Sequence, residues 1–63
     1  MRKYLELTCV GNCQRILIPL FTILYVEEYE EFTFVATQRT KKGYNGFNVV
    51  ETFNDIKSQI AEV

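Results

Sequence analysis

Residues 5–18 carry the pattern that most narrows what this chain can fold into. Leu5, Leu7 and Cys9 interleave with Glu6, Thr8 and Val10, and after Gly11-Asn12 the run Cys13, Gln14, Arg15, Ile16, Leu17, Ile18 resumes the alternation. An apolar side chain at every second position is the period of a half-buried strand. Gly-Asn between two such runs supplies residues that tolerate the positive φ a two-residue hairpin loop demands. Folding about Gly11-Asn12 sets Val10 opposite Cys13, Cys9 opposite Gln14, Leu7 opposite Ile16 and Leu5 opposite Ile18. One face then gathers Leu5, Leu7, Cys9, Ile16 and Ile18, while Glu6, Thr8, Val10, Cys13, Arg15 and Leu17 lie on the other. A slip of one residue would mix the two sets, so the sorting itself fixes the register.

Pro19 has no N–H to give to a ladder and ends the second strand, after which the chain turns through Leu20 to Thr22. Ile23 to Val26 reads as a short third strand. Phe32 to Thr40, rich in Phe, Thr and Val, reads as the longest strand and pairs with Phe47 to Val50 across a loop, Lys41 to Gly46, that carries two glycines. Thr52 with Asp55 three residues on predicts a helix N-terminus, and Phe53, Ile56 and Ile60 repeat at helical spacing, so an amphipathic helix is expected to pack those three on the sheet. The fold class is therefore α+β. A hairpin, a short strand and a second hairpin form a small antiparallel sheet or partly open barrel with one C-terminal helix, in a single domain over residues 1–63.

Such a domain has little core to spare. Ordering 63 residues at ~1.5 kcal/mol each costs about 95 kcal/mol, and the apolar surface a chain of this size hides, at ~25 cal/mol/Å², returns about the same. A disulfide, a metal or a second subunit commonly tips that balance. Two cysteines cannot fill a tetrahedral zinc site unless a dimer supplies four. The hairpin register also sets Cys9 and Cys13 on opposite faces, which suits a disulfide badly. The reading is a buried Cys9 and a free Cys13, with a Cys13 contact between subunits as the alternative, and a homodimer is the economical source of the missing burial.

Histidine is absent, which removes the commonest general base, the usual partner of a serine or cysteine nucleophile and the commonest metal ligand. The carboxylates cluster at Glu27, Glu28, Glu30 and Glu31 in a turn, and no glycine motif is built to cradle phosphate. An enzyme is not expected, nor a cofactor or a metal. The apolar run Ile16 to Val26 is broken by Pro19 and Thr22 and is too short to span a bilayer, and Glu6 and Thr8 interrupt any signal-peptide core, so a cytoplasmic location without membrane contact is expected.

Binding remains. Val10, Arg15 and Leu17 on the outer face of the first hairpin, with Tyr25 and Tyr29, are candidates for contact with a protein partner, because exposed apolar patches mark interaction surfaces. Arg39, Lys41, Lys42 and Tyr44 are the alternative, a short basic-aromatic segment that could follow a nucleic-acid backbone while a ring stacks on a base. The net charge of −1 is far from the basic balance of a dedicated nucleic-acid binder. The acidic and basic clusters are expected at opposite ends of one strand.

Leu7-Thr8, the Gly11-Asn12 turn, Ile16-x-Ile18-Pro19, the stretch Ile23 to Glu28 and Phe47-x-Val49-Val50-Glu51-Thr52 leading into a helix together resemble the small flagellar FlbD-type proteins, and similar short proteins that phages encode. The resemblance runs over nearly the whole chain. It implies a compact, non-enzymatic adaptor, or an inhibitor of a host protein, with no catalytic residue to carry over.

Overall fold

A computed structural model describes residues 3–61. The elements in chain order are β1 (Tyr4–Thr8), β2 (Arg15–Pro19), a 3-10 turn (Leu20–Thr22), β3 (Tyr25–Glu28), β4 (Thr33–Thr40), β5 (Gly43–Val49) and α1 (Phe53–Ala61). They form a two-stranded antiparallel sheet, β1-β2, and a three-stranded one, β3-β4-β5, that do not close into a barrel. The fold class is the α+β arrangement expected, in its open form.

The first hairpin holds the register the alternation dictates, with Leu7 opposite Ile16 and Leu5 opposite Ile18. Leu5, Leu7 and Ile18 are buried, Ile16 and Cys9 half-buried, and Glu6, Arg15 and Leu17 exposed. The turn differs from expectation. Gly11 takes positive φ at 96°, but the second such residue is Cys13 at 57° rather than Asn12. The Asn12 side chain explains this: its Oδ1 accepts the Gln14 N–H at 3.0 Å, holding the loop through the side chain. Pairing closes outside a four-residue loop, where the Cys9 N–H donates to the Gln14 carbonyl at 2.8 Å.

Two further boundaries move. The third strand runs over Tyr25–Glu28 instead of Ile23 to Val26, because the 3-10 turn after Pro19 uses Ile23 as its C-cap, its N–H donating to the Leu20 carbonyl at 3.2 Å. The expected loop from Lys41 to Gly46 shrinks to a tight turn at Lys41-Lys42, with Thr40 paired to Gly43, so that β5 begins at Gly43 and ends at Val49. Opposite it, β4 takes up one extra residue at Thr37 in a bulge between Ala36 and Gln38. β4 starts one residue later than expected, at Thr33. The glutamates of residues 27–31 do precede β4, and Arg39, Lys41 and Lys42 sit at its far end.

Backbone contacts and one side-chain pair join the two sheets. Cys9 pairs with Val49 in a single antiparallel bridge, the Val10 N–H donates to the Asn48 carbonyl at 2.9 Å, and the Val50 N–H donates to the Thr8 carbonyl at 2.9 Å. Further along the same edge of β1, side chains take the place of a strand. Glu51 accepts the Thr8 N–H at 2.8 Å and the Thr8 hydroxyl at 3.0 Å. Gln59 of α1 accepts the Glu6 N–H and donates to the Glu6 carbonyl, each at 3.1 Å. The helix thus covers an edge that would otherwise present unpaired backbone groups.

The core is one cluster: Leu5 and Leu7 of β1, Ile18 of β2, Val35 of β4, Val49 of β5 and Ile56 of α1. Ile56 is the helix side chain that is fully buried; Phe53 and Ile60, expected to pack on the sheet with it, keep more than a third of their surface exposed. A helix of nine residues makes about two and a half turns, and Phe53 and Ile60, about one turn to either side of Ile56, lie at the rim of its contact.

The helix start is built as the spacing predicts. The Asp55 N–H donates to Thr52 Oγ1 and the Thr52 N–H donates to Asp55 Oδ2, each at 3.1 Å, a reciprocal capping box with aspartate in the third position. Thr52→Ala is expected to lower stability by about 1 kcal/mol; urea unfolding of the two proteins measures it, and an unchanged midpoint would mean that Asp55 and Glu51 hold the helix start without the hydroxyl.

Candidate functional site

The largest concavity among those described lies between the outer edge of β2 and the bulge of β4. It encloses about 530 Å³ and is lined by Ile16, Leu17, Ile18, Pro19, Thr22, Thr37, Gln38 and Phe47. Its origin is topological. β2 pairs with β1 on one side alone, so its other edge is open, and the bulge at Thr37 bends β4 beside it. No charged residue lines the groove, and its volume lies in the range of sites that take small apolar groups.

The rim is more apolar still. Leu17 is 64% exposed and Phe21, in the middle of the 3-10 turn, is 89% exposed. Phe21 does not hang on a loose loop. The Leu20 N–H donates to the Lys3 carbonyl at 2.9 Å and the Thr22 hydroxyl to the Pro19 carbonyl at 2.8 Å, while Leu20 packs against the core. The turn is held on both sides, with its phenyl ring displayed outward.

Comparison with family models, with curated proteins and with solved structures finds no match. Function has to be read from the chemistry of this surface and of the residues the sequence singled out. Of those, Leu17 lines the groove, and Arg15 flanks it, paired with Glu6 across the hairpin and sharing with Leu17 a smaller recess of about 290 Å³. Val10 is exposed in the hairpin loop, its backbone tied to β5.

Tyr25 and Tyr29 belong to the other sheet. The Tyr25 ring meets Phe34 edge-on at 6.2 Å between centroids and Tyr44 edge-on at 4.9 Å. The structure thereby joins a residue expected to touch protein with one expected to stack on bases, and the Tyr44 ring is already packed against Tyr25. Tyr29 stacks on Phe32 at 5.0 Å and donates its hydroxyl to Glu27 at 2.7 Å. Burial, then the nearby Glu27 charge and Tyr44, push the Tyr25 phenol above its ordinary pKa; for Tyr29 the hydrogen bond to Glu27 acts first, followed by burial and the charges of Glu27 and Tyr25. Both shifts keep these rings neutral up to more alkaline pH than a free tyrosine.

Arg39, Lys41 and Lys42 stand at the β4–β5 tip, at the opposite end of β4 from the acidic segment. Cys9 and Cys13 are both free, the first half-buried and the second exposed. Among the described residues no three Cys, Asp or Glu side chains come together as a metal site, and no helix is long and apolar enough to cross a membrane.

The sequence reading missed Phe21 and Leu24 as surface groups. Both lie within the apolar run Ile16 to Val26, where pattern alone marks them as core residues.

Proposed function

We propose that this chain is a non-catalytic protein-interaction module of the cytoplasm, homodimeric, and that it acts as an adaptor or as an inhibitor of a host protein of the kind phages encode. The observation that carries the reading is the uncharged groove beside the open edge of β2, with Leu17 and Phe21 exposed at its rim. Apolar side chains displayed on a held backbone are what a protein partner buries, and the prior ordering of the turn lowers the entropy cost of binding. The resemblance to FlbD-type proteins supports an adaptor of this size. A protein without histidine, whose clustered glutamates at residues 27–31 are all exposed, has little to offer acid–base chemistry.

The nucleic-acid alternative rests on Arg39, Lys41 and Lys42 at the β4–β5 tip. Three cations at one strand end give a short, weak phosphate track, and Tyr44 is engaged by Tyr25.

Amide and methyl chemical shifts, followed by NMR during titration with N-acetyl-phenylalaninamide and separately with oligo(dT) at low salt, test the two. The expected result is that the phenyl probe shifts Ile16, Leu17, Thr37 and Phe47 together and that the oligonucleotide leaves Arg39 to Tyr44 unmoved. Shifts confined to the β4–β5 tip with oligo(dT), weakening as salt rises, would overturn the protein-binding reading in favour of the other.

A further inference from the structure

We infer that the groove beside β2 is the seat for Phe21 of a second copy of this chain, so that two copies join about a two-fold axis with each phenyl ring in the other's groove. The inference rests on the protein-interaction reading above and names its partner and its anchor.

Three observations lead to it. First, the knob and the groove adjoin but are not filled by one another: Thr22 lines the groove, while its neighbour Phe21 is 89% exposed. A two-fold operation is the simplest that places a protruding group on one edge of a hollow into the same hollow of a copy, and it closes with both contacts made.

Second, charge selects this face for self-contact. In an isologous interface residues near the axis meet their own copies. The acidic segment, Glu27 to Glu31, and the basic tip, Arg39 to Lys42, would each be set against its own like charges, whereas no charged residue lines the groove.

Third, the groups such a contact would cover are apolar and held in place: Leu17 is 64% and Phe47 39% exposed beside the groove, and the turn that carries Phe21 is pinned by the Leu20 and Thr22 hydrogen bonds.

Sedimentation equilibrium over a concentration series tests the inference with wild type, Phe21→Ser, Gln38→Trp and an equal mixture of the two variants. Phe21 and Gln38 are both exposed, so neither change removes a core contact, and circular dichroism confirms folding. Wild type is expected to dimerise, and Phe21→Ser to weaken the dimer by about 100-fold or more, as loss of a buried aromatic anchor does. Gln38→Trp fills the groove and is expected to weaken it similarly. The mixture is expected to associate more tightly than either variant alone, because one intact knob then meets one intact groove. If Gln38→Trp does not fold, the Phe21→Ser comparison decides.

A wild-type dimer whose affinity Phe21→Ser leaves unchanged would overturn the inference. A monomer at every concentration, with the groove still shifted by N-acetyl-phenylalaninamide, would overturn it while leaving the protein-interaction reading standing, the occupant then being an apolar side chain of a different protein. A monomer whose groove ignores the probe would overturn both.

Discussion

Gly46→Ala is expected to cost about 3 kcal/mol or more and to leave a large unfolded fraction at ordinary temperature. Gly46 sits opposite Ala36 where the β4 bulge begins, and a Cβ there would stand 1.9 Å from the Val35 carbonyl oxygen, 2.8 Å from its carbon and 2.9 Å from the Ala36 Cα. All three are backbone atoms of β4 flanked by fully buried side chains, so no rotamer change relieves the clash and the strands must part. The whole stability of a 63-residue domain is about 3–9 kcal/mol, which makes the loss comparable with the total. The melting temperature is expected to fall by at least ~12 °C.

Gly43, in the same hairpin, makes a useful contrast. Its φ of 139° favours glycine, but nothing lies within 4 Å of a Cβ built there. Gly43→Ala is expected to cost about 1–2 kcal/mol from strain alone. Thermal melts of both variants measure the order, and a Gly46→Ala protein more stable than Gly43→Ala would mean that β4 and β5 are not bulged as described.

Ile56→Ala is the second large effect, with an expected loss of about 3 kcal/mol. Ile56 is the fully buried side chain of α1, in a core whose other large members are Leu5, Leu7, Ile18, Val35 and Val49. A truncation at such a site loses the transfer energy of the removed carbons and leaves a cavity that so short a helix can fill only by shifting. The consequence reaches β1, because Gln59 on the same helix holds both the N–H and the carbonyl of Glu6. Amide exchange at Glu6 is therefore expected to speed up more than global destabilisation accounts for. If Glu6 slows or speeds only in step with Leu5 and Leu7, the helix is not what covers that edge.

Much of this fold was legible because local pattern and tertiary burial agree. The alternation in residues 5–18, with the turn at Gly11-Asn12, fixed Leu5 against Ile18 and Leu7 against Ile16, since a one-residue slip would mix Glu6 and Arg15 into the apolar face. Pro19 ended its strand, and Thr52 with Asp55 marked the helix start by chemistry that acts within four residues. The second hairpin was misread because Gly43-Tyr44-Asn45-Gly46 has the composition of a turn. Gly43 does serve the turn; Gly46 is in a strand, kept small by an approaching backbone 10 residues away in sequence, which composition cannot reveal. The shift of the third strand has a similar cause, as Ile23 and Leu24 look like strand residues until the 3-10 turn after Pro19 claims the first of them.

The candidate site was less legible than the fold. Its lining comes from β2, the residue after the 3-10 turn's centre, the β4 bulge and Phe47 of β5, segments brought together by the open arrangement of two sheets. Leu17 was recognisable as an apolar residue on the polar side of its hairpin. Phe21 was not, because within the run Ile16 to Val26 it looks like one more core residue, and only the tertiary anchoring of Leu20 turns it outward.

The most direct measurement of the central claim is an isotope-filtered NOE experiment on an equal mixture of labelled and unlabelled chains at a concentration where sedimentation finds the dimer. The account predicts intermolecular NOEs from the Phe21 ring to the methyl groups of Ile16 and Thr37. Intermolecular NOEs that instead join the Tyr25–Tyr44 face or the α1 surface, with none from Phe21, would contradict it.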